Sequence, residues 1–140
     1  MSIETNKSLV QHYITEVINT GQIGLIDAYW VSEEAAAHVR RELSMLCQAF
    51  PDLHCVVEQQ IAEGDAVVTR WSMAGTQSGP FYGISPTGRT AHWDGVAISR
   101  LAEGKFTEDW VLPDKLAIMQ QLGAIPLPGA SPLPPVPSNS

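Results

Sequence analysis

Basic side chains are scarce in this chain. Eight lysines and arginines stand against 15 aspartates and glutamates in 140 residues, for a net charge of −7. No cationic stripe forms, which excludes the footprint that a nucleic-acid backbone demands and disfavours anionic membranes. Long apolar runs are also missing, and none approaches the ~20 residues needed to cross a bilayer. The opening MSIETNKSLV lacks the ordered charged, apolar and small-residue regions of a secretion signal, so the cytoplasm is the expected compartment. Cys47 and Cys55 have no CxxC spacing and read as two buried thiols. His12, His38 and His54 share no spacing, so no metal site is expected. Arg40-Arg41 sits beside Glu33, Glu34 and Glu42 and reads as solvated charge on a helix.

What is present is an ordinary apolar fraction of 44%, enough for one globular core. KSLVQHYITEVINTG (7–21) spaces Leu9, Val10, Tyr13, Ile14, Val17 and Ile18 as a helix, with Gly21 as its stop. QIGLIDAYW (22–30) suggests a second, short helix. From Ser32, SEEAAAHVRRELSMLCQAF reads as the strongest helix, capped by Ser32 and ended by Pro51. The period then changes to strands. LHCVVEQQIAEGDAVVTRWSMAGT and TAHWDGVAISRLAEGKFTEDWVL each read as a hairpin closed by Ala-Glu-Gly, a three-residue loop with glycine in the left-handed position. GPFYGISPTGR (79–89) is a turn-rich connection, read as a lip over a cavity. KLAIMQQLG (115–123) is a final helix. The domain is thus expected over 1–123, and 124–140, with its six prolines, as an extended tail. Helices first and a strand meander afterwards give an α+β domain.

A three-residue loop at Ala102–Gly104 sets the register of the second hairpin. Ile98 then faces Glu108, Val96 faces Trp110, Asp94 faces Leu112, and His92 faces Asp114. All the even-numbered residues share one face. The odd face, with Ala91, Trp93, Gly95, Ala97 and Ser99, is mostly small and suits a second layer or a partner subunit. In the first hairpin, Trp71 and Met73 share a face and are candidates for a cavity wall or for plain core.

The stretch Phe50–Gly123 resembles the SnoaL-like polyketide cyclase family of the NTF2-like superfamily. The likeness rests on FPDLHCVVEQQIAEGDAVVTRW, GPFYGISPTGR and GVAISRLAEGKFTEDWVLPDKLAIMQQLG. Its most telling spacing is Arg100, Gly104, Lys105, Glu108, Trp110 and Asp114. The resemblance implies an α+β cone, with N-terminal helices on a strongly curved, mostly antiparallel sheet around an internal pocket. It also implies a homodimer or higher oligomer, and a cofactor-free cyclase or isomerase closing rings on polyketide-type substrates. By position its acid/base residue is Asp114. Compared with the family, about a dozen residues are missing between Trp30 and the long helix, so one pocket wall is expected to be thinner or rebuilt by a partner chain. HWD at 92–94 replaces small or β-branched residues.

Ring closure of this kind needs a base at an acidic C–H and an acid at the acceptor oxygen, without metal or flavin. The candidates are Asp114 as acid/base and His92 as its partner. Arg100, Glu108 and Asp94 are supporting polar groups, and Trp71, Met73, Val96 and Trp110 are walls. Two rival readings concern the same pocket. One is a non-catalytic carrier of a small apolar ligand, the other an enzyme of epoxide or ether chemistry. For Asp114 itself the rival is a helix cap before KLAIMQQLG.

Overall fold

The computed structural model describes residues 2–125. The proline-rich segment expected as a tail lies outside them except for its first two positions. Helix α1 (Ile3–Tyr13) starts at Ser2, whose hydroxyl accepts the Thr5 N–H. It runs on through one π-helical turn to Ile18, and Gly21 at φ 72° ends it. A 3-10 turn (Ile23–Leu25) leads into α2 (Ile26–Tyr29). Helix α3 (Glu33–Ala49) follows at once, capped by Ser32 through the Ala35 N–H at 3.2 Å.

Four antiparallel strands come next, β1 (His54–Glu63), β2 (Ala66–Thr76), β3 (Thr90–Ala102) and β4 (Lys105–Pro113), in the order β1-β2-β3-β4. Helix α4 (Lys115–Gln121) closes the described fold. Gln121 ties it to β3, accepting the His92 N–H at 2.8 Å and donating to the His92 carbonyl at 2.6 Å. In place of a further strand before α3, Trp30 alone bridges in parallel to Phe106.

Both hairpins turn on two residues, not three. Gly64-Asp65 joins Glu63 to Ala66, and Glu103-Gly104 joins Ala102 to Lys105. Glu103 (φ 51°) and Gly104 (φ 79°) are both left-handed, which suits the right-handed twist of the flanking strands. Beyond that turn β4 carries one extra residue. Leu101 pairs with Phe106, but Arg100 pairs with Glu108, so Thr107 is bulged out.

The bulge reverses the sidedness of the rest of β4, because side chains alternate with period 2. Phe106 points inward, and so do Asp109 and Val111, whereas Glu108, Trp110 and Leu112 point outward. On β2 and β3 the inward set is odd-numbered: Val67, Thr69, Trp71, Met73, Ala91, Trp93, Ala97, Ser99 and Leu101 are all buried. The helices pack on this face, with Val10, Tyr13, Ile14, Val17, Ile26, Leu43 and Phe50 in the shared core. The small odd face of β3 therefore receives a second layer from its own chain.

Candidate active site

The inward face of the sheet, α1, α3 and α4 enclose a cavity of about 370 Å³. Trp71, Met73, Phe81 and Trp93 form its apolar lining, and α3 supplies a wall from His38 to Leu46. Gly95 shapes the interior. A Cβ there would lie 2.3 Å from the Trp71 ring, so only glycine lets the indole cross β3.

The expected lip is present. Phe81 packs edge-on against Phe50 with ring centroids 5.5 Å apart. Buried Gln77 holds the connection together, donating to the Ile84 carbonyl at 3.0 Å and accepting from the Thr87 hydroxyl at 2.7 Å. Tyr82 and Lys115 meet at the mouth, the ammonium 4.8 Å from the ring centre. A larger depression outside α3, around Arg40, Arg41 and Ser44, is open to solvent, and Arg40 there is engaged by Asp27.

One carboxylate enters the cavity wall from the sheet, that of Asp109. It faces Ser99 across the β3–β4 ladder, and the Ser99 hydroxyl donates to Asp109 Oδ1 at 2.8 Å. Burial raises the acid from 3.8 to about 6, and the Ser99 hydrogen bond opposes that rise. The cause is desolvation, since a charge among Trp71, Trp93 and Val111 loses water that one hydroxyl replaces only in part. Tyr13 also lines the cavity. Its phenol is raised first by burial and further by the charge of Asp109, with the Trp30 N–H acting the other way. His38 and Glu42, one turn apart on α3, complete the polar lining. Cys55 lies outside this set, and burial pushes its thiol up to about 12.

The residues singled out from the sequence divide between the two faces. Trp71 and Met73 line the cavity. His92, Asp94, Arg100, Glu108, Trp110 and Asp114 are exposed, and Val96 is half-buried on the same outer face. The proposed His92–Asp114 pair does not form. The two-residue turn and the Thr107 bulge together shift the register, so that Asp114 lies beside Asp94 and donates its N–H to that carbonyl at 2.9 Å. Asp114 caps α4, accepting the Ala117 N–H at 3.0 Å. Arg100 reaches Asp65 at 2.8 Å and Glu108 at 3.7 Å, both on the solvent side.

The comparisons with known proteins agree with this fold. The sequence pattern of the SnoaL-like polyketide cyclase family matches residues 8–122. The chain belongs to that family. Among solved structures, this SnoaL-like chain is similar to AclR from Streptomyces galilaeus, provisionally described as a hydroxylase. The TM-score is 0.80 at 27% identity, over 89% of each chain. It is also similar to a SnoaL-like polyketide cyclase, so described provisionally, from Jannaschia sp. CCS1, with TM-score 0.75 at 26% identity over 90% of this chain and 97% of that one. A provisionally described polyketide cyclase from Acidithiobacillus ferrooxidans gives 0.76 at 25%, over 88% and 98%. No curated protein matches the sequence. Among the described residues no helix is long and apolar enough to cross a membrane.

Proposed function

We propose that this SnoaL-like protein is a cofactor-independent cyclase or isomerase of polyketide-type carbonyl compounds, with Asp109 as its acid/base. The observation that carries the reading is a carboxylate raised to about 6 by burial in an apolar cavity. Such a group is mostly ionised at neutral pH yet more basic than an ordinary carboxylate, which suits proton removal from carbon. In the step envisaged, the carboxylate takes a proton from carbon flanked by two carbonyls, and the C–H electrons pass onto a carbonyl oxygen. The enolate carbon then bonds to a second carbonyl carbon of the same molecule. The resulting alkoxide recovers the proton from Asp109, so the sequence consumes no other reagent. The aromatic walls fold the chain so that the reacting carbons meet.

The test is exchange of the central C–H of an aryl 1,3-dicarbonyl probe with solvent deuterium, followed by NMR. Protein-dependent exchange is expected to rise with pH through about 6 and to fall about 100-fold or more in Asp109→Asn. Equal exchange by the variant, with probe binding retained, would remove Asp109 from the mechanism and leave a carrier of apolar ligands.

The same proposal extends to assembly. Ile61, Val68, Ile98 and Trp110 are consecutive partners across all four strands. On the outer face Ile61 is 61% and Trp110 52% exposed. An apolar row of this length on a solvent face suits a second copy of the chain. Light scattering is expected to give a dimer that Trp110→Lys converts to monomer; a monomeric wild type at high concentration would overturn it.

A further inference from the structure

Two buried side-chain polar atoms have no hydrogen-bond partner among the described residues, Asn6 Oδ1 and the Trp30 indole nitrogen. Trp30 is 6% exposed. Trp30 ends α2 at the sheet edge, where the next residue, Val31, donates its N–H to the Phe106 carbonyl at 3.0 Å. The Trp30 ring stacks on Phe106 with centroids 5.3 Å apart, and Tyr13 meets Phe106 edge-on at 4.9 Å. Both rings thus pack on Phe106, and no hydrogen bond has closed on the indole. Tyr13, in turn, borders the cavity and feels the charge of Asp109.

We propose that Tyr13 donates the hydrogen bond that holds the substrate's carbonyl oxygen, and the enolate oxygen formed from it, and that Trp30 positions the Tyr13 hydroxyl. The assignment rests on the carbonyl acid/base reading of the cavity. An indole N–H only donates, whereas a phenol donates and accepts. When Trp30 gives its proton to the Tyr13 oxygen, the phenol hydrogen turns elsewhere, towards the cavity that Tyr13 lines. A donor fixed there answers what Asp109 creates, because removing a proton from carbon places negative charge on oxygen. The substrate class that follows is a carbonyl compound presenting its oxygen to α1 and its acidic C–H to β4.

The probe pair is acetophenone and ethylbenzene, alike in shape but differing in the carbonyl oxygen. Wild-type protein is expected to bind acetophenone about 3- to 10-fold more tightly than ethylbenzene and to lower its infrared carbonyl stretch. Tyr13→Phe should abolish both effects while keeping ethylbenzene affinity. Trp30→Phe should reduce the preference about 2- to 3-fold and broaden the carbonyl band, a change that mere packing would not cause. On wild type alone, the ¹⁵N-indole signal of Trp30 should move with acetophenone and stay still with ethylbenzene, so the test survives a variant that fails to fold. No carbonyl preference in wild type, or an unchanged one in Tyr13→Phe, overturns the Tyr13 assignment; an unmoved indole signal overturns that of Trp30. Asp109→Asn should keep the preference while losing proton exchange, which separates failure here from failure of the acid/base reading.

Discussion

Two neighbouring rungs of the β3–β4 ladder, Ser99–Asp109 and Arg100–Glu108, place similar chemistry in opposite surroundings. Each pairs an acid with a hydrogen-bond donor across antiparallel strands. The inner acid has one hydroxyl for company and is raised to about 6. The outer acid lies 3.7 Å from a guanidinium in water, where an ion pair contributes little. Oxygen type and strand are the same for both acids. Which side of the sheet they occupy decides which is raised.

Substitutions should widen or erase that contrast in a definite order. Asp109→Asn has the largest expected effect, a loss of about 100-fold or more in probe exchange. It also carries a stability signature. The native acid binds its proton more tightly than the unfolded one, so its contribution is full below 3.8 and lost as pH rises through about 6. That interval corresponds to roughly 3 kcal/mol, discounted for solvent inside the cavity. Asp109→Asn should therefore be about 1–3 kcal/mol more stable than wild type at pH 8, with the gain gone by pH 4. Denaturant unfolding at the two pH values checks it.

Next comes Gly95→Ala, which would drive Trp71 from its place across β3. The expected cost is about 1–3 kcal/mol of stability, with weaker probe binding, measured by melting and by titration. Asp114→Ala should cost about 1 kcal/mol through the lost α4 cap while leaving exchange unchanged. Smallest is Glu108→Gln, expected within about 0.5 kcal/mol in stability and silent in exchange. A large loss of turnover in either of the last two would return the chemistry to the outer face.

The sequence made the elements legible and hid the register. Ser32, Gly21, Pro51 and the two Ala-Glu-Gly stretches marked helix ends and hairpins, because caps and turns depend on particular residues. The bulge at Thr107 has no such letter; threonine is at home in any strand. The two-residue turn and the bulge each move the pairing by one, so Asp109 shares the odd face with Ser99 in either register; taking the even face as the inward one is what pointed to Glu108 and Asp114. Trp71 and Met73 were placed on the cavity side, yet their odd-numbered partners on β3 were not. The connection 77–89 sets that pairing, and its geometry hangs on the internal hydrogen bonds of Gln77. The small residues Ala91, Gly95, Ala97 and Ser99 were the available clue, since they leave space for rings and helices rather than for a neighbouring molecule.

Thr107 also implies a route by which this scaffold could change its chemistry. Were that residue to pair with Arg100 instead of bulging out, everything downstream on its strand would turn over, withdrawing the short acid and admitting the longer one next door. A reactive group would then be exchanged without any codon for it being altered. Pairing, as much as spelling, is a variable on which such hollows can be tuned.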